Sequence, residues 1–305
     1  MSRESATSST PADATAQSAA ADDRQQFITP ELRQWIVAQA QAGVAPEQVL
    51  EAMKTSGWQE DVAIQALEET LQGFLDEHAK ANNLPLPVPV PEPDLRQSPS
   101  VLRAHDRDVA LLFTMRHPRV VVFGGLLSDA ECDALVALAG PRMVRSETVD
   151  NATGGSEVNA ARTSRGMFFE RGETPLIERI ERRIAALLCW PQLNGEGLQV
   201  LHYQPGAEYK PHYDYFDPAH PGSTPILRRG GQRVGTVVMY LNTPTQGGGT
   251  TFPDVGLEVA PIKGNAVFFS YDRPHPSTRS LHGGAPVIAG EKWVATKWLR
   301  EREFA

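Results

Sequence analysis

The chain has 305 residues, 41% of them hydrophobic and 22% charged, which is enough to bury a large core and excludes a globally disordered polymer. Its net charge of −8 argues against phosphate-backbone binding as the main activity, since that demands an excess of Lys and Arg. The two cysteines, Cys132 and Cys189, read as free buried thiols in a reducing compartment, and without any CxxC pair a structural zinc site is not expected.

Residues 1–27 are mostly Ser, Ala, Thr and Asp, with almost nothing to bury, and read as a disordered tail. They contain no apolar run suited to a signal peptide or a bilayer span, so a cytoplasmic protein with no membrane attachment is expected. From residue 28 to 78 the spacing predicts three short amphipathic helices. Thr29-Pro30-Glu31 supplies a helix start, and Leu32, Trp35, Ile36 and Ala40 follow at helical spacing up to Gly43. Val49, Leu50 and Met53 precede Gly57, and Ile64, Leu67, Leu71 and Phe74 form a third stripe. This stretch, above all AMKTSGWQEDVAIQAL, resembles a ubiquitin-associated (UBA-like) three-helix module. Two basic against seven acidic residues from Ile28 to Leu75 disfavour nucleic acid as its partner and leave a protein partner, or simple docking on the rest of the chain, open.

Residues 79–104 hold NLPLPVPVPEPD, whose alternating prolines forbid a helix and favour a semi-rigid polyproline II linker; a docking strand for a partner is the other reading. Residues 105–305 have a β-rich texture. The apolar run RVVVFGGLL leads into SDAECDALVALA, a helix with a Ser-Asp start, and TPLIERIERRIAALL forms a second amphipathic helix. GLQVLHYQ, QRVGTVVMYLN, NAVFFSY and KWVATKWLR then read as strands separated by glycine and proline. The expected fold is mainly β, an antiparallel sandwich or barrel with flanking helices.

The stretch KPHYDYF puts His212 and Asp214 two residues apart, on one side of an extended chain. Two histidines and a carboxylate on one face of a metal suit iron(II) with positions left open. Downstream, His275 lies between prolines in an irregular loop, whereas His282 stands where a turn enters a strand. His282 is the better third ligand.

Five ordered segments then carry a resemblance. GLQVLHYQPGAEYKPHYDYF, GGQRVGTVVMYLN, GGGTTFP, PIKGNAVFF and SLHGGAPVIAGEKWVATKW, with ARTSRGMFFERGE upstream, closely resemble the catalytic domain of prolyl 4-hydroxylases, iron(II)/2-oxoglutarate dioxygenases of the collagen and plant types. The resemblance implies a double-stranded β-helix, a jelly-roll of the cupin kind. It also implies iron(II) held by His212, Asp214 and His282, with 2-oxoglutarate and O2 as cosubstrates and L-ascorbate as accessory reductant. Lys292 would anchor the far carboxylate of 2-oxoglutarate, with Tyr203, Tyr240 and Thr250 beside it. Arg162, Ser164, Glu196, Gln199, Tyr209, Arg233 and Trp298 would line the groove for a proline-containing peptide or protein, and residues 145–172 would form its lid. The implied reaction is proline hydroxylation coupled to decarboxylation of 2-oxoglutarate to succinate and CO2. The same chemistry on a free amino acid or another side chain stays open, as does a non-catalytic interaction protein built on the helices and linker. Two departures bear on peptide preference: Gly249 stands where a glutamate is common, and the segment between His220 and Arg228 differs in length.

Overall fold

The computed structural model describes residues 26–145, 148–149, 156–157 and 163–305. The expected tail therefore lies, up to residue 25, outside the described residues, as does much of the expected lid. The chain divides into two compact units after Leu75. In the first, α1 (Pro30–Gln41), α2 (Pro46–Thr55) and the start of α3 (Glu60–Ala81) pack around Ile36, Val49, Met53, Ala63, Ala66 and Leu67. Thr29 caps α1 through its hydroxyl, which accepts from the Leu32 amide. Gly43 and Gly57, at φ +78° and +93°, make the two reversals. The third stripe is rotated from its expected setting: Ala63 and Ala66 are buried, while Ile64 stays exposed. Two alanines let neighbouring helices approach closely, so the small residues take the inner face. The third helix also runs on to Ala81, past the expected end at 78.

In the second unit β1 (Val101–Ala104), β2 (Arg107–Met115) and β3 (Arg119–Gly124) precede α4 (Asp129–Ala139). The short β4 (Val144–Arg145), β5 (Thr148–Val149) and β6 (Ser156–Glu157) follow, then β7 (Arg165–Phe169) and α5 (Pro175–Leu187). Next come β8 (Leu198–Tyr203), β9 (Tyr209–His212), α6 (Ser223–Arg228) and β10 (Arg233–Tyr240). The last part holds β11 (Gln246–Gly247), β12 (Thr250–Phe252), β13 (Leu257–Val259), β14 (Ala266–Ser270), β15 (His282–Gly284), β16 (Val287–Ala289) and β17 (Lys292–Arg300).

Nine strands form one sheet in the order β1-β2-β3-β14-β10-β17-β8-β7-β4, and four form a second, β13-β12-β15-β9. All described pairings are antiparallel. The large sheet is covered on both faces, which is why AVFFS in β14 is apolar almost throughout rather than alternating. Ala266 and Phe268 join the core shared with α4 and α5, whereas Val267 and Phe269 face the small sheet and pack with Phe252 of β12. Ser128 and Glu131 close a reciprocal capping box on α4, and Thr174 caps α5. Among the described residues no helix is long and apolar enough to cross a membrane. Cys132 is buried as expected; Cys189 is exposed, and both are free.

The proline-rich stretch is a strap rather than a free spacer. Pro91 and Pro93 are buried, the Val88 amide donates to the Asp272 carbonyl and the Glu92 amide to that of Leu188. Arg119 pairs with the Glu92 carboxylate. Where the strap crosses the large sheet, Gly235 of β10 makes room: a Cβ there would meet Pro91 Cγ at 2.7 Å. Prolines have no amide donor to satisfy, so they bury against a sheet face at little polar cost, and this gives the stretch a seat.

Candidate active site

The histidine and aspartate of KPHYDYF come together with His282 through strand pairing. Antiparallel pairing of β9 with β15 sets His282 opposite His212, and the turn after β9 brings Asp214 between them. One ligand atom from each residue lies within 4.8 Å of the others. His212 Nε2 is 3.6 Å from Asp214 Oδ1, and His282 Nε2 is 3.4 Å from Asp214 Oδ2.

The outer ring nitrogens fix the tautomers. Nδ1 of His212 meets the Lys210 carbonyl at 2.9 Å, and Nδ1 of His282 meets that of Ser280 at 3.0 Å. A carbonyl only accepts, so each Nδ1 carries the proton and each Nε2 lone pair turns to the centre. Carbonyl-oriented imidazoles of this kind are the usual support for a bound metal. Burial pushes His282 down to about 4 against the pull of Asp214, so this imidazole is neutral at pH 7. Burial alone would raise the Asp214 carboxyl, but His282, His212 and Arg233 outweigh it and hold the group well below the usual carboxylate range. The donor set of two neutral imidazoles and one carboxylate suits iron(II) and leaves positions for other ligands.

A second cluster lies nearby: Lys292 Nζ would stand 3.8 Å from a Cβ at Gly284, on the same strand as His282. Lys292 opens β17 opposite Tyr203 of β8 and is 4% exposed. Its Nζ stands 5.5 Å from the Tyr203 ring centre and 5.9 Å from that of Tyr240. The Tyr240 hydroxyl donates to Thr250 Oγ1 at 2.8 Å. No carboxylate lies within ion-pair distance of Lys292 among the described residues. Burial pushes its ammonium down to about 8, with Glu258 partly opposing. Glu258 also explains how the glycine at 249 is accommodated: its carboxylate lies over Gly249 and fills the space a side chain there would need.

The predicted groove residues fall into three groups. Glu196, Arg233 and Trp298 are brought together: Arg233 clamps the Glu196 carboxylate with two hydrogen bonds of 2.7 and 2.9 Å, and its guanidinium lies 4.0 Å over the Trp298 ring. Tyr209 stacks on His212 at 3.7 Å between ring centres. Ser164 and Gln199 are buried, Gln199 opposite Thr296 across β8 and β17. Arg162 lies outside the described residues. His202, next to Tyr203 on β8, takes the other face, stacking on Trp293 and meeting Glu291 at 2.7 Å.

Sequence reasoning missed Thr236 and Tyr271. Thr236 Oγ1 lies 2.7 Å from Asp214 Oδ2 and 3.0 Å from the Tyr271 hydroxyl. The one available signal was a hydroxyl at an inward position of the apolar run VGTVVMY.

Known proteins resemble this chain across the stretch that carries the candidate site. The 2OG-Fe(II) oxygenase superfamily model matches residues 198–300, a span that contains all three candidate ligands and Lys292. Prolyl 4-hydroxylase 5 of Arabidopsis thaliana is 44% identical over 209 residues, covering 61% of this chain and 70% of that protein. Prolyl 4-hydroxylase 1 of the same plant is 42% identical over 224 residues, covering 65% and 77%. Among solved structures, the viral collagen prolyl hydroxylase of Paramecium bursaria Chlorella virus-1 aligns at 30% identity and a TM-score of 0.46, over 59% of this chain and 94% of that one. The class is therefore that of the iron(II)- and 2-oxoglutarate-dependent oxygenases. Within it, the chain belongs to the prolyl 4-hydroxylase family.

Proposed function

We propose that this protein hydroxylates proline within peptide or protein chains at a jelly-roll (double-stranded β-helix) iron centre. The observation that carries the reading is the His212–Asp214–His282 donor set beside a buried lysine that, among the described residues, pairs with no carboxylate. His212, Asp214 and His282 would hold iron(II), and Lys292 would neutralise the far carboxylate of 2-oxoglutarate. When bound, iron and 2-oxoglutarate supply the oxidising chemistry: O2 is split between the hydroxyl of the product and the succinate formed as CO2 leaves.

The chain's own residues bind, orient and keep the site dry. Tyr240 and Thr250 give the cosubstrate polar contacts beside Lys292, while Phe252 and Phe269 pack against His282 and exclude water from the ligand side. Tyr209, Trp298 and Phe216 offer aromatic walls, and the Arg233–Glu196 clamp offers polar groups, which together suit an extended proline-bearing chain with free carbonyls. We read L-ascorbate as the accessory reductant, the cytoplasm as the working compartment, and the three-helix unit as a UBA-like module for a protein partner.

Succinate release and a 16-dalton mass gain, followed on proline-rich peptides and on free proline with ferrous iron and O2, test the reading. Turnover on peptides supports it. Turnover confined to free proline, or none on any peptide despite bound iron and 2-oxoglutarate, overturns the substrate class.

A further inference from the structure

Beyond the three ligand residues, two buried hydroxyls meet at the metal site. Thr236, on β10, is 1% exposed and Tyr271, just past the end of β14, is 2% exposed. Thr236 Oγ1 donates to Oδ2 of Asp214 at 2.7 Å. The Thr236 proton is then committed, and the 3.0 Å contact with Tyr271 runs in one direction, from the phenol O–H to the threonine oxygen. A directed chain results: Tyr271 to Thr236 to Asp214.

Packing does not account for it. Thr236 sits among Val234, Val237 and Val238, where valine has the same shape, and phenylalanine would fill the ring volume of Tyr271. A buried hydroxyl costs free energy unless it is hydrogen-bonded, and these two satisfy each other only by ending on the carboxylate. The chain ends on one oxygen. Both carboxylate oxygens face a candidate ligand imidazole, Oδ1 at 3.6 Å from His212 Nε2 and Oδ2 at 3.4 Å from His282 Nε2, but Oδ2 alone also accepts from Thr236, and Oδ1 has no hydroxyl donor among the described residues.

We propose that Thr236, held by Tyr271, is a positioning residue that fixes the Asp214 rotamer and reserves Oδ1 as the metal-binding oxygen. Ligation through one oxygen rather than two leaves one more coordination position for cosubstrate and O2. The proposal rests on the reading of His212, Asp214 and His282 as an iron site.

Metal binding, read without turnover, tests it. Mn2+ affinity by titration, the visible spectrum of the Co2+-loaded protein and the melting temperature would be compared for wild type, Thr236→Val, Thr236→Ser and Tyr271→Phe. Loss of a group that orients a ligand typically weakens metal binding by ~10–100-fold, and that is the loss expected for Thr236→Val, together with an altered Co2+ spectrum. Thr236→Ser keeps the hydroxyl and should restore both, and Tyr271→Phe should fall between. Thr236→Val with wild-type affinity and spectrum overturns the proposal. If Thr236→Val fails to fold, wild-type binding and spectrum in Tyr271→Phe overturn it equally. A wild-type protein that binds no divalent ion overturns the iron-site reading and this inference with it.

Discussion

A buried ammonium with no carboxylate partner keeps its proton only up to a limit, and for Lys292 that limit is about pH 8 instead of the ordinary 10.5. Burial is the cause, and a dianionic cosubstrate reverses it by favouring the charged form. If Lys292 anchors the far carboxylate as proposed, 2-oxoglutarate should bind most tightly below pH 8 and more weakly as Lys292 loses its proton above it. The apparent dissociation constant on Mn2+-loaded protein should rise by up to about tenfold per pH unit between the free and bound pKa values. Lys292→Met should weaken binding at pH 7 by roughly 10–100-fold, about the value of a charge-assisted hydrogen bond, and flatten the profile. Glu258→Gln should move the fall to lower pH, because Glu258 is what partly supports the proton. The His212–Asp214–His282 cluster was legible because a histidine and an aspartate two residues apart flag a shared side of the chain and few histidines compete for the third place. Thr236 and Tyr271 were not, since a hydroxyl inside an apolar strand looks the same whether it caps a backbone carbonyl or a ligand.

At the scale of elements, α5 is pinned by a charge cluster rather than by apolar packing alone. Arg183, 2% exposed, grips Asp106 and Glu131 with two hydrogen bonds each, all between 2.8 and 2.9 Å, and also donates to the Leu126 carbonyl. It thereby ties α5 to α4 and to the β1–β2 turn. Removing one partner of a buried ion pair leaves the others uncompensated, so Arg183→Met should cost ~3–5 kcal/mol, read as a fall in the urea midpoint. Arg183 holds Asp106 at about 2, and its bonds likewise hold Glu131 at about 2 although burial alone would raise it. Depressed carboxylates stabilise the fold above their ordinary pKa near 4, and this is lost as pH falls towards 2. Acid melting of wild type should therefore be steep below pH 4 and shallower in Asp106→Asn. Sequence patterning read β3, α4, α5, β8, β10, β14 and β17 well, because capping residues and long apolar runs are local signals. Which carboxylates Arg183 would choose depends on residues 52 and 77 positions away, and no local pattern carries that.

For the whole molecule, the strap changes where the catalytic body begins. A stretch that composition marks as a spacer instead lies against β10, seated over Gly235. Gly235→Ala would push a methyl against Pro91, and overpacking of that kind costs ~1–3 kcal/mol. Thermal melts should show this loss in Gly235→Ala and a partial recovery in the Gly235→Ala, Pro91→Gly double variant, the less-than-additive result expected of residues in contact. Equal losses that simply add would mean that the strap does not bear on that strand.

The seat of the strap also bears on whether the enzyme modifies itself. Its prolines are carried on the same chain as the candidate iron site and so are present at high effective concentration. Yet Gly235, which receives Pro91, and Thr236, which points to Asp214, are successive residues of one strand and face opposite ways. The docked prolines therefore lie behind the sheet that the site looks out from. Docking is a form of substrate exclusion, and a hydroxyl found by mass spectrometry on Pro91 or Pro93 would record a molecule whose strap had come away.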